Sequence, residues 1–97
     1  LYVRSPERAQ ALLAPLIGTE QLKEIEFVKG DLENLIGSSP NLSGFDGVIH
    51  AAALFTDYYS KGSSWEAFKR DNIEATLGIF RTAHEAGVSR GVFVSSV

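Results

Sequence analysis

A chain of 97 residues makes one compact domain at most, and at this length folding buries roughly 60 to 70% of the surface that the unfolded form exposes. With 44% hydrophobic and 22% charged residues and a formal net charge of −3, the composition is that of an ordinary soluble globular protein; it lacks the basic excess of a nucleic-acid surface, so nucleic acid is not an expected partner. No stretch approaches the roughly 20 apolar residues needed to cross a bilayer and the first residues do not read as a signal peptide. The absence of cysteine removes disulfide and thiolate chemistry, which fits a cytoplasmic protein.

The first residues, Leu1, Tyr2 and Val3, read as the end of a strand. After Arg4, Ser5 and Pro6 make a helix start, a hydroxyl N-cap followed by proline at the first helical position. Ala9, Leu12, Leu13, Leu16 and Ile17 give this helix an apolar face; Pro15 is expected to kink it or end it early, and Gly18 to stop it. After a polar connection, residues 25–29 alternate as a short strand leading into Gly30, Asp31 and Leu32, and Leu32, Leu35 and Ile36 suit a single helical turn. Residues 37–43, GSSPNLS, read as a loop.

Residues 44–53, GFDGVIHAAA, form the stretch around which the chain is organised: a Gly/Asp/Gly turn, a short apolar strand through Val48 and Ile49, then His50 and three alanines. Small residues at the carboxyl end of a strand let a bulky ligand approach the backbone, and open α/β sheets bind their ligands there. Residues 56–63 are polar and read as an exposed excursion. Ser63 and Glu66 stand at capping-box spacing ahead of a helix running to about Ala86, with Gly87 just past its end. Its expected buried stripe is Trp65, Phe68, Asn72, Thr76, Ile79, Phe80 and Ala83, with Glu66, Lys69, Arg70, Glu74, Arg81 and Glu85 on the solvated faces. Val92, Phe93 and Val94 make an almost continuous apolar run, suited to a strand covered on both faces and ending at Ser95 and Ser96. Strands alternating with helices in this order predict a parallel sheet with right-handed crossovers, in a single domain over residues 1–97.

Several side chains stand where chemistry is done. Asp31, after a strand and a glycine, can accept a hydrogen bond from an amino group such as that of adenine, or can cap the turn that follows. Arg4 sits at a strand end where folds that select NAD carry an acid for the ribose hydroxyls; a cation there, beside Ser5 at a helix start and Arg8 one turn on, suits a 2′-phosphate, although an arginine beside a helix start also serves as plain surface. Asn72 falls on the buried stripe, so its amide needs a partner: a backbone carbonyl of a neighbouring strand, either for stability alone or with the same bond fixing a strand end that holds a cofactor. Ser96, at the end of a strand, can hydrogen-bond a substrate oxygen during proton transfer or can simply turn into a loop. His50 and His84 are too isolated for a metal site, and His50 reads as a strand-end core residue. Tyr58 and Lys61 are one residue too close for a catalytic tyrosine–lysine pair along a helix.

Together VRSPER, VKGDL, FDGVIHAAA, DNIEATLGIFRTAHEAGV and SRGVFVSSV resemble, in order and spacing, the extended short-chain dehydrogenases/reductases, or NAD-dependent epimerase/dehydratase family. The resemblance implies part of a Rossmann-like doubly wound α/β sheet whose cofactor is NADP or, alternatively, NAD. It implies adenine contacts from Asp31 and Leu32, a lining of Ala51, Ala52 and Ala53 along the ribose and diphosphate, and Asn72 bracing the strand ends. Ser95 joins the cofactor-binding set and Ser96 becomes the catalytic serine acting beside a tyrosine base; Arg4, with Ser5 and Arg8, matches the NADP-selecting position of the reductase branch, which includes dihydroflavonol-reductase-like and hydroxysteroid-dehydrogenase-like proteins. The family's glycine-rich turn, its Tyr-x-x-x-Lys pair and its C-terminal substrate region have no counterpart in these residues, so the chain reads as an inert internal piece of an oxidoreductase acting on a small-molecule carbonyl or alcohol. The alternatives are a nucleotide-sugar epimerase or dehydratase and a non-catalytic nucleotide-binding module. With the family's first strand missing from a 3-2-1-4-5 order, two strand pairs are expected in place of one sheet, with self-association at their unpaired edges.

Overall fold

A computed structural model of the chain describes residues 1–35, 40–55 and 64–95. They belong to two compact units, Leu1–Asp31 and Leu32–Val97.

In the first unit, β1 (Tyr2–Val3) leads into α1 (Pro6–Ile17), a single turn α2 (Thr19–Leu22) and β2 (Val28–Lys29). The two strands pair in parallel, Tyr2 opposite Val28 and Val3 opposite Lys29. The start of α1 is as expected: Ser5 is extended (φ −133°, ψ 97°) and its hydroxyl accepts the Arg8 N–H at 3.3 Å, with Pro6 opening the helix. Pro15, however, does not end the helix early: α1 continues to Ile17. The proline lies in the last turn, where it removes a single bond, and the Gly18 N–H still reaches the Ala14 carbonyl at 3.0 Å. The strand expected over residues 25–29 narrows to two residues because Ile25 is still closing the turn of α2, its N–H on the Leu22 carbonyl at 3.2 Å.

The second unit contains α3 (Leu32–Leu35), β3 (Gly47–His50) and one long helical run followed by β4 (Arg90–Phe93). The run comprises α4 (Trp65–Phe68), a π-helical stretch (Lys69–Glu74) and α5 (Ala75–Glu85). Strands β3 and β4 are parallel, from Gly47 opposite Arg90 to His50 opposite Phe93. Helix α5 ends in a Schellman motif at Gly87 (φ 81°): the Gly87 N–H bonds His84 and the Val88 N–H bonds Ala83. Helix α4 is capped by Ser64, which accepts the Ala67 N–H at 3.3 Å and donates to the Glu66 carboxylate at 3.1 Å; the expected partner Ser63 lies outside the described residues. The hydrogen bond from the Glu66 backbone N–H, and after it the one from the Ser64 hydroxyl, hold the Glu66 carboxyl below its ordinary pKa.

Among the described residues, the core of this unit consists of Ala75, Ala83 and Leu35 with buried His50. Phe80 lies on Gly91 so closely that a Cβ there would stand 2.6 Å from the ring, so the glycine is what lets α5 approach β4. Two expectations fail here. Trp65 is 67% exposed, outside the buried stripe, although Phe68, three residues on along the same face, is half-buried; Trp65 is the first residue of α4, at the frayed end of that face. Val92, Phe93 and Val94 are all about half exposed, so β4 is not covered on both faces. Helix α5 covers one face through Phe80, while Ile49 and its register partner Val92 stand on the other.

The described residues thus form an α/β arrangement with parallel pairing throughout, in two two-stranded sheets instead of one. Among them no helix is long and apolar enough to cross a membrane.

Candidate functional site

Because both ladders are parallel, the candidate residues fall at carboxyl ends of strands in each unit. In the first unit Arg4 and Ser5 follow β1 directly, and Asp31 follows β2 after Gly30. A Cβ on Gly30 would overlap the Tyr2 ring, whose hydroxyl donates to the Asp31 carbonyl at 3.4 Å. The glycine of VKGD therefore lets the tyrosine lie across the strand end and steady the backbone of Asp31. Arg4 and Arg8 are exposed and form no ion pair with a described residue. Ser5 is already engaged: besides capping α1, its hydroxyl donates to the Glu7 carboxylate at 3.3 Å. An acid in the first turn suits the helix dipole, yet here it also competes for the group that would hold a phosphate. Glu7 is the functional neighbour that the motif VRSPER leaves unweighed.

In the second unit Ala51, Ala52 and Ala53 follow β3 and are all exposed, leaving open backbone at the strand end. The next residue, Leu54, is gripped on both sides by one amide: its N–H donates to Asn72 Oδ1 at 2.7 Å, and Asn72 Nδ2 donates to its carbonyl at 2.9 Å. The partner expected for Asn72 is thus backbone, and specifically the residue that ends the alanine run. Asn72 itself stands in the π-helical stretch, a distortion that occurs often at functional sites.

Preceding the alanines, His50 is buried and joined to the same helix, its Nε2 lying 2.9 Å from Thr76 Oγ1. Thr76 Oγ1 in turn donates to the Asn72 carbonyl at 2.8 Å. The imidazole stacks on Phe93 (centroids 5.7 Å, 21°) and meets the edge of Phe80 (6.4 Å, 75°). Burial among these rings lowers the His50 pKa from its ordinary value, because desolvation disfavours the charged ring. His50 is the core residue its position predicts; its polar link to Thr76 is an addition that the sequence does not mark, whereas the bond from Thr76 to Asn72 is one that their four-residue spacing on a helix allows.

Ser95 follows β4 at the same carboxyl edge as Ala51, and is exposed. Ser96, with Tyr58 and Lys61, lies outside the described residues, as do Ile36, 37–39 of the expected loop and the excursion at 56–63. Leu32 opens α3 and is half-buried. Taken unit by unit, the chemistry suits parts of a nucleotide: in the second the open alanine backbone at a strand end, and in the first exposed cations beside a helix start that pair with no described residue. An open groove of about 400 Å³ lined by Gln10, Thr19, Leu22, Lys23, Ile25 and Phe27 includes none of these candidates.

The model of a family described as the NAD dependent epimerase/dehydratase family matches residues 3–97. No curated protein matches the chain.

Proposed function

This chain belongs to the NAD-dependent epimerase/dehydratase family, and on that premise we propose that it supplies cofactor contacts for an NADP-dependent oxidoreductase acting on a small-molecule carbonyl or alcohol. The observation that carries the reading is the two-sided grip of Asn72 on Leu54, which holds three exposed alanines at the carboxyl end of β3. Ala51, Ala52 and Ala53 would line the ribose and diphosphate, Asp31 and Leu32 the adenine, and Ser95 the strand end beside them. Arg4, with Ser5 and Arg8, would hold the 2′-phosphate, and Ser96 would hydrogen-bond the substrate oxygen. The bound nicotinamide supplies the hydride donor or acceptor. No tyrosine in the chain stands four residues before a lysine, so no tyrosine base is assigned among these residues, and the chain alone is proposed to be catalytically inactive and cytoplasmic.

A second reading is favoured by the bond from Ser5 to Glu7. If that acid is retained at the helix start when nucleotide binds, NAD is the cofactor and a nucleotide-sugar epimerase or dehydratase the better assignment. A binding module without catalysis would keep the nucleotide contacts alone. Titrating NADPH and NADH against the protein and its Arg4→Ala and Glu7→Gln variants decides between them. The first reading expects NADPH to bind more tightly, the preference to collapse in Arg4→Ala and to grow in Glu7→Gln. Equal affinity for the two nucleotides in the wild type and both variants moves the assignment to NAD, and no binding of either nucleotide rejects both enzymatic readings.

A further inference from the structure

The alanine segment is tied to the helical run at both ends, and the two ties converge. At its start, the His50 carbonyl accepts the Val94 N–H at 3.0 Å, which fixes the backbone to β4, while the His50 ring reaches Thr76. At its finish, both backbone groups of Leu54 are held by the Asn72 side chain. Asn72 and Thr76 are one helical turn apart and are themselves joined through the Thr76 hydroxyl. Exposed alanines have no side chains with which to hold their own course, so these ties set the path of the backbone.

The direction of the hydrogen bonds follows from counting protons. A threonine hydroxyl has one proton to give. Directed at the Asn72 carbonyl, it leaves only lone pairs facing His50, so His50 must carry its proton on Nε2 and donate. Removing the hydroxyl therefore does two things: it leaves a buried imidazole N–H without an acceptor, and it withdraws a bond from the carbonyl of the residue that grips Leu54. We propose that Thr76 and His50 are positioning residues for the nucleotide, acting through Asn72 to hold residues 51–54 in the conformation that binds it.

This inference rests on the reading of residues 51–53 as a nucleotide lining, and the test separates the two. Thr76→Val removes the hydroxyl at nearly constant shape; Thr76→Ser keeps it. In the full chain, amide hydrogen exchange without nucleotide is followed residue by residue, and NADPH and NADH affinities are measured by titration. Thr76→Val is expected to speed exchange at Leu54 about tenfold, with little change at Val28 in the other ladder, and to weaken nucleotide binding about tenfold. Thr76→Ser is expected to restore both, and His50→Gln, whose amide N–H can stand in for Nε2–H, to fall between. Should Thr76→Val fail to fold, the contrast of His50→Gln with His50→Leu reads the same bond. Wild-type binding that Thr76→Val leaves unchanged overturns the inference while sparing the functional reading. Equal acceleration across α5 also overturns it, since that is the mark of a merely stabilising residue. A wild type that binds neither nucleotide rejects the functional reading and this inference with it; loosening confined to Leu54 would then show that the tie exists without that purpose.

Discussion

The two units reach order by different means. Among the described residues of Leu1–Asp31 no side chain is fully buried, whereas Leu32–Val97 buries Ala75 completely and encloses Leu35, Ala83 and His50. The first unit leaves Leu12 and Leu16 at 62% and 78% exposure on a 12-residue helix, and its ladder is two residues long. A segment of this size cannot bury enough apolar surface to offset its own ordering entropy. The second unit combines a close helix–strand contact with a buried polar thread from His50 to Leu54. Small residues are what make that contact: Ala75, Ala83 and Gly91 hold volume down where α5 meets its neighbours.

The sharpest way to break this comparison is to add volume. Ala75→Leu inserts three carbons at a site with no exposure and is expected to destabilise the second unit by about 2–3 kcal/mol. Ala11→Leu, on the exposed side of α1, is expected to change stability by less than about 0.5 kcal/mol. Urea unfolding followed by Trp65 fluorescence, with amide exchange in each unit, measures both; equal losses would mean that the units do not differ in packing. Slightly smaller is the effect of Asn72→Asp, which keeps one bond to Leu54 but sets a carboxylate against its carbonyl. A loss of roughly 1–3 kcal/mol is expected, with exchange at Leu54 rising more than at any residue of the first unit.

Acid sharpens the comparison further. Burial lowers the His50 pKa below its ordinary 6.5, so the unfolded chain takes up a proton at a pH where the folded one does not. Stability of the second unit is therefore full above 6.5 and is lost as pH falls from there through the depressed folded value, below which the slope vanishes. The first unit contains no histidine and should show no such step between about pH 6.5 and 5. Exchange measured in both units across that window, repeated in His50→Gln, tests the assignment; a step that persists in the variant would remove His50 as its source.

Where each element was legible in the sequence, a local rule and the tertiary contact agreed. Ser5-Pro6, Gly18 and Gly87 mark helix ends through backbone chemistry that needs no partner. The parallel pairing followed from alternation, and the bracing role of Asn72 from an amide on an apolar face. Where they failed, a longer-range term intervened. The helical period over residues 64–86 contains no signal for a π-helical stretch, and it puts Trp65 on an apolar stripe without registering that the first residue of the helix stands 67% exposed. The apolar run of β4 reads as doubly covered because strand composition records where a residue suits burial, not what lies against it. The link from His50 to Thr76 joins residues 26 apart, and nothing in either's neighbours announces it.

The smallest expected effects concern charge, and they again divide the two units. In the first, Lys23 and Glu20 meet at 3.2 Å with both side chains more than 70% exposed. Solvent screens such a pair and ordering two long side chains opposes it, so Glu20→Gln should alter stability by no more than about 0.5 kcal/mol. In the second, Arg70 places Nε 2.8 Å and Nη2 3.3 Å from the two carboxylate oxygens of Asp71, whose side chain is only 13% exposed, and its Nη1 lies 3.6 Å from Glu33. A two-pronged bond to a shielded acid is stronger and fixes the guanidinium plane, so Asp71→Asn should cost about 1 kcal/mol where Glu33→Gln, at a side chain 65% exposed, costs about half of that or less. Raising salt from 0.05 to 0.5 M should erase the Glu20 and Glu33 effects and leave most of that at Asp71, because screening acts on what water already reaches. If the Asp71 effect vanished with the others, the Arg70–Asp71 pair would contribute no more to the π-helical stretch than the exposed pair of Lys69 and Glu74 at 3.7 Å, and the contrast between the units would rest on burial and the polar thread without help from charge.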